Sequence, residues 1–122
     1  MNKFHARKVE LDGITFPSQA EANRYAQLRL LERARAIRAM SRQPQYPLVI
    51  GGVTIGLYTA DFAYIENGRH IVEDVKGGPI READSLRMRV FMALYPHHEL
   101  RIVDRKGGSK PMKQRKVTRR AA

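Results

Sequence analysis

Residues 61–76 read DFAYIENGRHIVEDVK, two β-prone runs on either side of Asn67-Gly68. Asn-Gly accepts the positive backbone angles of a two-residue turn, so the spacing predicts a hairpin with Glu66 opposite Arg69. Each later pair keeps the same sum of residue numbers. That register sets Ile65 against His70, Ala63 against Val72, Asp61 against Asp74 and Thr59 against Lys76. Side chains alternate along a strand, so these four pairs share one side of the sheet while Glu73 and Val75 face the other.

Outward from the hairpin, the sequence predicts an α/β domain. Val9, Leu11, Ile14 and Phe16 flank Asp12-Gly13, which reads as a small preceding hairpin over residues 8–16. Ser18-Gln19-Ala20-Glu21 has the form of a capping box, and Tyr25, Leu28, Leu31 and Ile37 follow at helical spacing, with Gln43-Pro44 beyond the helix end. Tyr46–Ile50, a long run from Val53 to Ile65, and Arg69–Val75 form a three-stranded antiparallel meander in this reading. A second helix from about Arg81 to Tyr95 carries Leu86, Val90, Phe91 and Leu94 on its apolar stripe, and Glu99–Val103 supplies a last strand. The expected core order is therefore helix, three strands, helix, strand.

The chemistry follows from the register. Directly opposed side chains stand about 4.5–5.5 Å apart at Cβ, where two carboxylates repel unless something neutralises them. A hard divalent cation would do so, held by Asp61, Asp74 and a nearby backbone carbonyl such as that of Val75. Lys76 lies two residues past Asp74 and so on the same side, where an ammonium helps hold a metal-bound hydroxide and offsets charge growing on an attacked phosphate. The combination points to phosphodiester hydrolysis. Alone, an Asp-x-Lys triplet carries little information, because lysine at a strand end also serves to block edge pairing. His97-His98 point to opposite faces of a strand, and His70 lies about 13 Å along the strand from Asp74, so neither completes this site.

The chain has 122 residues, enough for one domain with one modest core. Lys and Arg total 23 against 12 Asp and Glu, a net charge of +11 that implies a polyanionic partner. Eight of those charges fall in residues 105–122, which hold no acid, so residues 1–104 keep an excess of only three. The expected organisation is a single domain over 1–104 and a basic, disordered tail over 105–122. Expected phosphate contacts are Lys3, Arg7, Lys8, Arg81, Arg87, Arg105, Lys106, Lys110, Lys113, Arg115 and Lys116, since neutralising phosphates releases counterions whatever the base sequence. There is no cysteine, which excludes thiolate metal sites and thiol nucleophiles. No apolar run approaches the roughly 20 residues needed to span a bilayer, and Met1 to Lys8 lacks the apolar core of a signal peptide, so a cytoplasmic protein is expected.

With Asp61 followed by Asp74-Val75-Lys76, the chain resembles the PD-(D/E)XK, or restriction-endonuclease-like, nuclease superfamily over roughly residues 18–103. Many members carry a further acid on the first helix, and Glu21 occupies that place. The resemblance implies a restriction-endonuclease-like core and an Mg²⁺- or Mn²⁺-dependent endonuclease acting on DNA. It assigns catalytic roles to Glu21, Asp61, Asp74 and Lys76, with Glu21, Asp61, Asp74 and Val75 as metal ligands. Ala60 stands where proline often precedes the first acid, and Asp74 where many members have glutamate. The length and acid order are also similar to small phage-encoded endonucleases, including resolvases of Holliday junctions that act as dimers. Glu21 has a competing local role as the fourth residue of its capping box. Two further readings stay open at this point, a non-catalytic nucleic-acid-binding protein on the same fold and a basic structural protein whose function lies in the tail.

Overall fold

The computed structural model describes residues 8–114. Strands β1 (Val9–Leu11) and β2 (Ile14–Phe16) form the expected small hairpin. Helix α1 (Gln19–Arg33) starts where Ser18 accepts a hydrogen bond from the Glu21 amide at 3.1 Å. It ends earlier than the spacing of Ile37 suggests. Arg35 adopts φ 63°, its amide bonds to the Glu32 carbonyl, and the Ala36 amide bonds to that of Leu31. This is a Schellman cap built without glycine, which is why no stop signal is visible in the sequence. The chain then forms β3 (Arg38–Arg42), an element not foreseen, and buried Ile37 joins the core beneath α1.

The expected meander is corrected in the same region. Strands β4 (Gln45–Ile50) and β5 (Val53–Thr59) pair only with each other, as a separate two-stranded ribbon. Pro47 cannot donate a ladder bond, which suits β4 to an edge rather than the middle of a sheet. The run from Val53 to Ile65 breaks at Ala60-Asp61, where the Ala60 amide bonds to the Pro44 carbonyl and the Asp61 amide to that of Glu73. Beyond the break, β6 (Phe62–Glu66) and β7 (Arg69–Val75) pair in the predicted register, Ala63 with Val72 and Ile65 with His70. Both turn residues have positive φ, 51° at Asn67 and 77° at Gly68. Thr59 does not reach Lys76; it pairs with Gln45, and the Lys76 amide bonds to Val103.

Helix α2 (Glu82–Leu94) carries the chain across to β8 (His98–Val103), which lies parallel to β7. Strand β9 (Ser109–Pro111) then pairs antiparallel with β8. The five-stranded mixed sheet has the order β3-β6-β7-β8-β9. The expected tail boundary at residue 105 therefore moves. Asp104 Oδ1 accepts the amides of Lys106 and Gly108 at 2.9 Å each, turning the chain back onto the sheet, and Gln114 donates to the Arg89 carbonyl. A run of basic residues hid a strand whose stability comes from backbone pairing rather than from apolar side chains.

Alternation along β6 and β7 gives the sheet two apolar faces. Phe62, Tyr64 and Ile71 pack with Phe16, Tyr25 and Leu28 on the α1 side. Val72 and Leu100 pack with Met88, Phe91, Tyr58 and Leu48 on the α2 side. Among the described residues no helix is long and apolar enough to cross a membrane.

Candidate functional site

The C-terminal end of β7 is where the two faces meet the acids. Asp61, just ahead of β6, accepts the Val75 amide on Oδ2 at 2.7 Å, which fixes its carboxylate beside the next strand. Asp74 is only 6% exposed. Its Oδ2 accepts the hydroxyl of Tyr58, and its Oδ1 lies 3.8 Å from Lys76 Nζ. Burial raises the Asp74 carboxyl above the ordinary range, the charge of Asp61 adds to the rise, and the Tyr58 bond and Lys76 oppose it. Glu21, on the first turn of α1, is half-buried and pushed up to about 7, first by burial and then by Asp61, against the pull of Arg42 and Lys76. The four residues singled out in the sequence thus act on one another electrostatically. Glu21 makes no reciprocal bond to the Ser18 amide among the described residues, so only half of the capping box is formed.

Two clefts flank this strand end. One, of about 140 Å³, is lined by Leu57, Tyr58, Thr59, Asp74, Lys76, Asp84, Arg87 and Met88. The other, of about 390 Å³, lies on the α1 side between Gln19, Asn23, Val75, Gly77 and Arg105. A larger cleft of about 470 Å³, beside the β6–β7 turn, is lined by Glu32, Arg35 and Asn67 and holds none of the candidate residues. Among the described residues no three carboxylates or imidazoles converge as a ready-made metal cage. The side chains gathered here offer oxygen donors, the type a hard cation prefers, and burial followed by the Asp61 charge raises the carboxyls of Asp74 and Glu21. Residues Asp61 and Asp74 would hold such an ion, with Glu21 and the Val75 carbonyl as further oxygen donors.

Residues 1–109 match the family described as "Protein of unknown function (DUF1064)". The chain belongs to this family. No curated protein matches it. Among solved structures, the crystal structure of protein VC1899 from Vibrio cholerae aligns with a TM-score of 0.56 at 14% identity, over 80% of this chain and 30% of that one. The chain thus spans less than a third of that protein, and the likeness is one of fold.

Other polar groups in this DUF1064 member escaped the sequence reading. Glu73 is fully buried on the α1 side, opposite to Asp74, where Arg24 Nε and a terminal nitrogen bond its two oxygens at 2.8 and 2.6 Å and Tyr64 donates a third bond. Arg24 lies one turn beyond Glu21 on α1, so this ion pair ties the helix that carries Glu21 to the strand that carries Asp74. Tyr58 reaches Asp74 only because the chain breaks at Ala60, which no spacing rule reveals. Arg42, stacked 4.8 Å over the Phe16 ring, is the positive charge that most opposes the rise at Glu21, ahead of Lys76. His70 and His98 stand side by side at the far end of the sheet, 5.2 Å between ring centroids, away from the acids.

Of the expected phosphate contacts, Arg87 lines the smaller cleft and Arg105 the one on the α1 side. Lys8, Arg81, Lys106, Lys110 and Lys113 are exposed. Lys3, Arg7, Arg115 and Lys116 lie outside the described residues.

Proposed function

We propose that the chain is a metal-dependent DNA endonuclease of the PD-(D/E)XK type on a restriction-endonuclease-like core. The observation that carries this reading is the meeting of Asp61, Asp74, Lys76 and Glu21 at one end of β7, where burial first and the Asp61 charge second raise the carboxyls of Asp74 and Glu21 above the ordinary range. Acids confined in this way, beside a lysine and in a chain of net charge +11, suit a divalent cation and a polyanionic substrate.

Mg²⁺ or Mn²⁺, when bound, supplies charge for the scissile phosphate and a water of lowered pKa. The chain's own residues do the rest. Tyr58 and the Val75 amide hold the Asp74 and Asp61 carboxylates in place. Lys76, beside Asp74, stabilises negative charge as a water oxygen bonds to phosphorus and the opposite P–O bond breaks, leaving a phosphate monoester and a hydroxyl. Arg87 and Arg105, which line one flanking cleft each, would contact neighbouring phosphates of the strand in this reading.

The deciding experiment is cleavage of labelled linear duplex, single strand, flap and four-way junction with Mg²⁺, with Ca²⁺, and with Asp74→Asn. Cutting that requires Mg²⁺ and disappears in the variant is expected, and preference for the flap or junction would assign branched DNA as substrate. Tight binding without cutting of any substrate would instead make the chain a non-catalytic nucleic-acid-binding protein.

A further inference from the structure

Residues 43–60 contain no Asp, Glu, Lys, Arg or His, in a chain of which 29% is charged. The stretch is the β4–β5 ribbon. Its inner side chains, Leu48 and Tyr58, are buried against α2 and the sheet. Along the ribbon and towards its turn, Val49, Ile50, Val53, Ile55 and Leu57 remain between 43% and 60% exposed. The ribbon belongs to neither edge of the main sheet, and among the described residues neither β4 nor β5 has a second strand neighbour. A two-stranded ribbon alone is marginal in water, and natural proteins protect such edges with charge, above all lysine. Here a lysine- and arginine-rich chain leaves this ribbon bare of charge.

Contiguous exposed aliphatic residues mark a surface that is covered in use. What covers this one is indicated by charge. A nucleic-acid surface would carry Lys or Arg, which the rest of the chain has in excess and this stretch lacks. A contact between two copies about a two-fold axis sets each residue near its own counterpart, so any charge there would meet a like charge. An uncharged patch on a chain of net charge +11 meets that requirement. We propose that the exposed aliphatic side chains of the β4–β5 ribbon form a self-association surface on which a second copy docks ribbon to ribbon. The inference does not depend on the nuclease reading. Should both hold, Leu57 and Thr59, which line the Asp74 cleft, would bring the two clefts close to the axis, suited to cutting two strands.

The test is sedimentation velocity of the full chain across a concentration series at low and high salt. A dimer is expected that tightens with salt, because screening weakens the repulsion between the two bodies, whereas nucleic-acid binding weakens with salt. Ile55→Glu and Ile55→Lys should each weaken association by about 100-fold or more, and mixing them should restore a mixed dimer. Leu30→Glu, at an exposed leucine on α1, should leave the dimer intact. If circular dichroism shows either Ile55 variant unfolded, the β-branched pair Val53→Thr with Ile55→Thr replaces it, with weakening of about tenfold expected. A wild-type monomer at about 100 μM, or a dimer indifferent to these changes, overturns the proposal. A monomer whose Ile55 variants lose DNA affinity overturns it as well, and assigns the ribbon to nucleic acid.

Discussion

Replacing Glu21 by Gln removes a charge that the fold resists. The carboxyl rises from 4.5 to about 7 in the folded chain, chiefly through burial and then through Asp61. A group raised on folding binds more protons in the native than in the unfolded state between those two values. Stability therefore falls as pH climbs from about 4.5 to 7, and the loss is complete above that window. Full conversion of the rise would give roughly 3 kcal/mol. Because Glu21 is only half-buried, solvent screening reduces this to about 1 kcal/mol. Glu21→Gln should accordingly be more stable than wild type by about 1 kcal/mol at pH 8, or roughly 4 °C in melting temperature for a domain of this size, and equal to it at pH 4. Thermal melts by circular dichroism at the two pH values measure this directly. Added Mg²⁺ at pH 8 should then raise the melting temperature of wild type more than that of the variant. A variant less stable than wild type at pH 8 would refute the reasoning. It would mean that Arg42 and Lys76 stabilise the ionised form more than burial and Asp61 disfavour it.

Asp74→Asn should reduce Mg²⁺-dependent cleavage by at least about 100-fold, measured in single turnover, while leaving the melting temperature at pH 8 unchanged or higher; a large drop in stability would make Asp74 structural. Arg24→Met leaves Glu73 buried without its partner and should cost about 3–5 kcal/mol in urea unfolding, most of it recovered in the double variant with Glu73→Met. Tyr58→Phe removes a hydrogen bond that lowers the Asp74 pKa, so the Asp74 carboxyl should titrate at higher pH by ¹³C NMR, with about 1 kcal/mol lost in stability. An unmoved midpoint would mean that the Tyr58 hydroxyl does not hold Asp74 in solution.

The residues that meet at the end of β7 were legible because hairpin register is a local property. Asn67-Gly68 fixes which residues face each other as far as Phe62 and Glu73; beyond that the ladder ends, and Asp61 comes beside the Asp74 end of β7 by accepting the Val75 amide rather than by the expected strand pairing. The first hairpin, the start of α1 and the α2 crossover were legible for similar reasons, each marked by a turn dipeptide, a cap or a helical stripe. The errors arose where the deciding contact is distant or the signal is not in the usual residue. Arg35 ends α1 in a conformation more often given to glycine. Ala60 breaks a β-prone run because Pro44 offers it a carbonyl, and Ser109–Pro111 forms a strand within a stretch whose composition reads as solvated tail. The Arg24–Glu73 pair spans 49 positions and leaves no periodic trace.

Glu73 and Asp74 are neighbours on one strand, yet they pose opposite demands. Glu73 finds an arginine and a tyrosine inside the protein, so its charge is completed by folding itself. Asp74 also has a tyrosine and a lysine beside it, but it faces the Asp61 carboxylate as well, and burial with that second charge raises its carboxyl above the ordinary range. A single pleat therefore separates a charge that the fold completes from one that it leaves in tension. Loss of the Arg24 partner of Glu73 should be felt as stability, and, on the nuclease reading proposed above, loss of Asp74 as metal affinity.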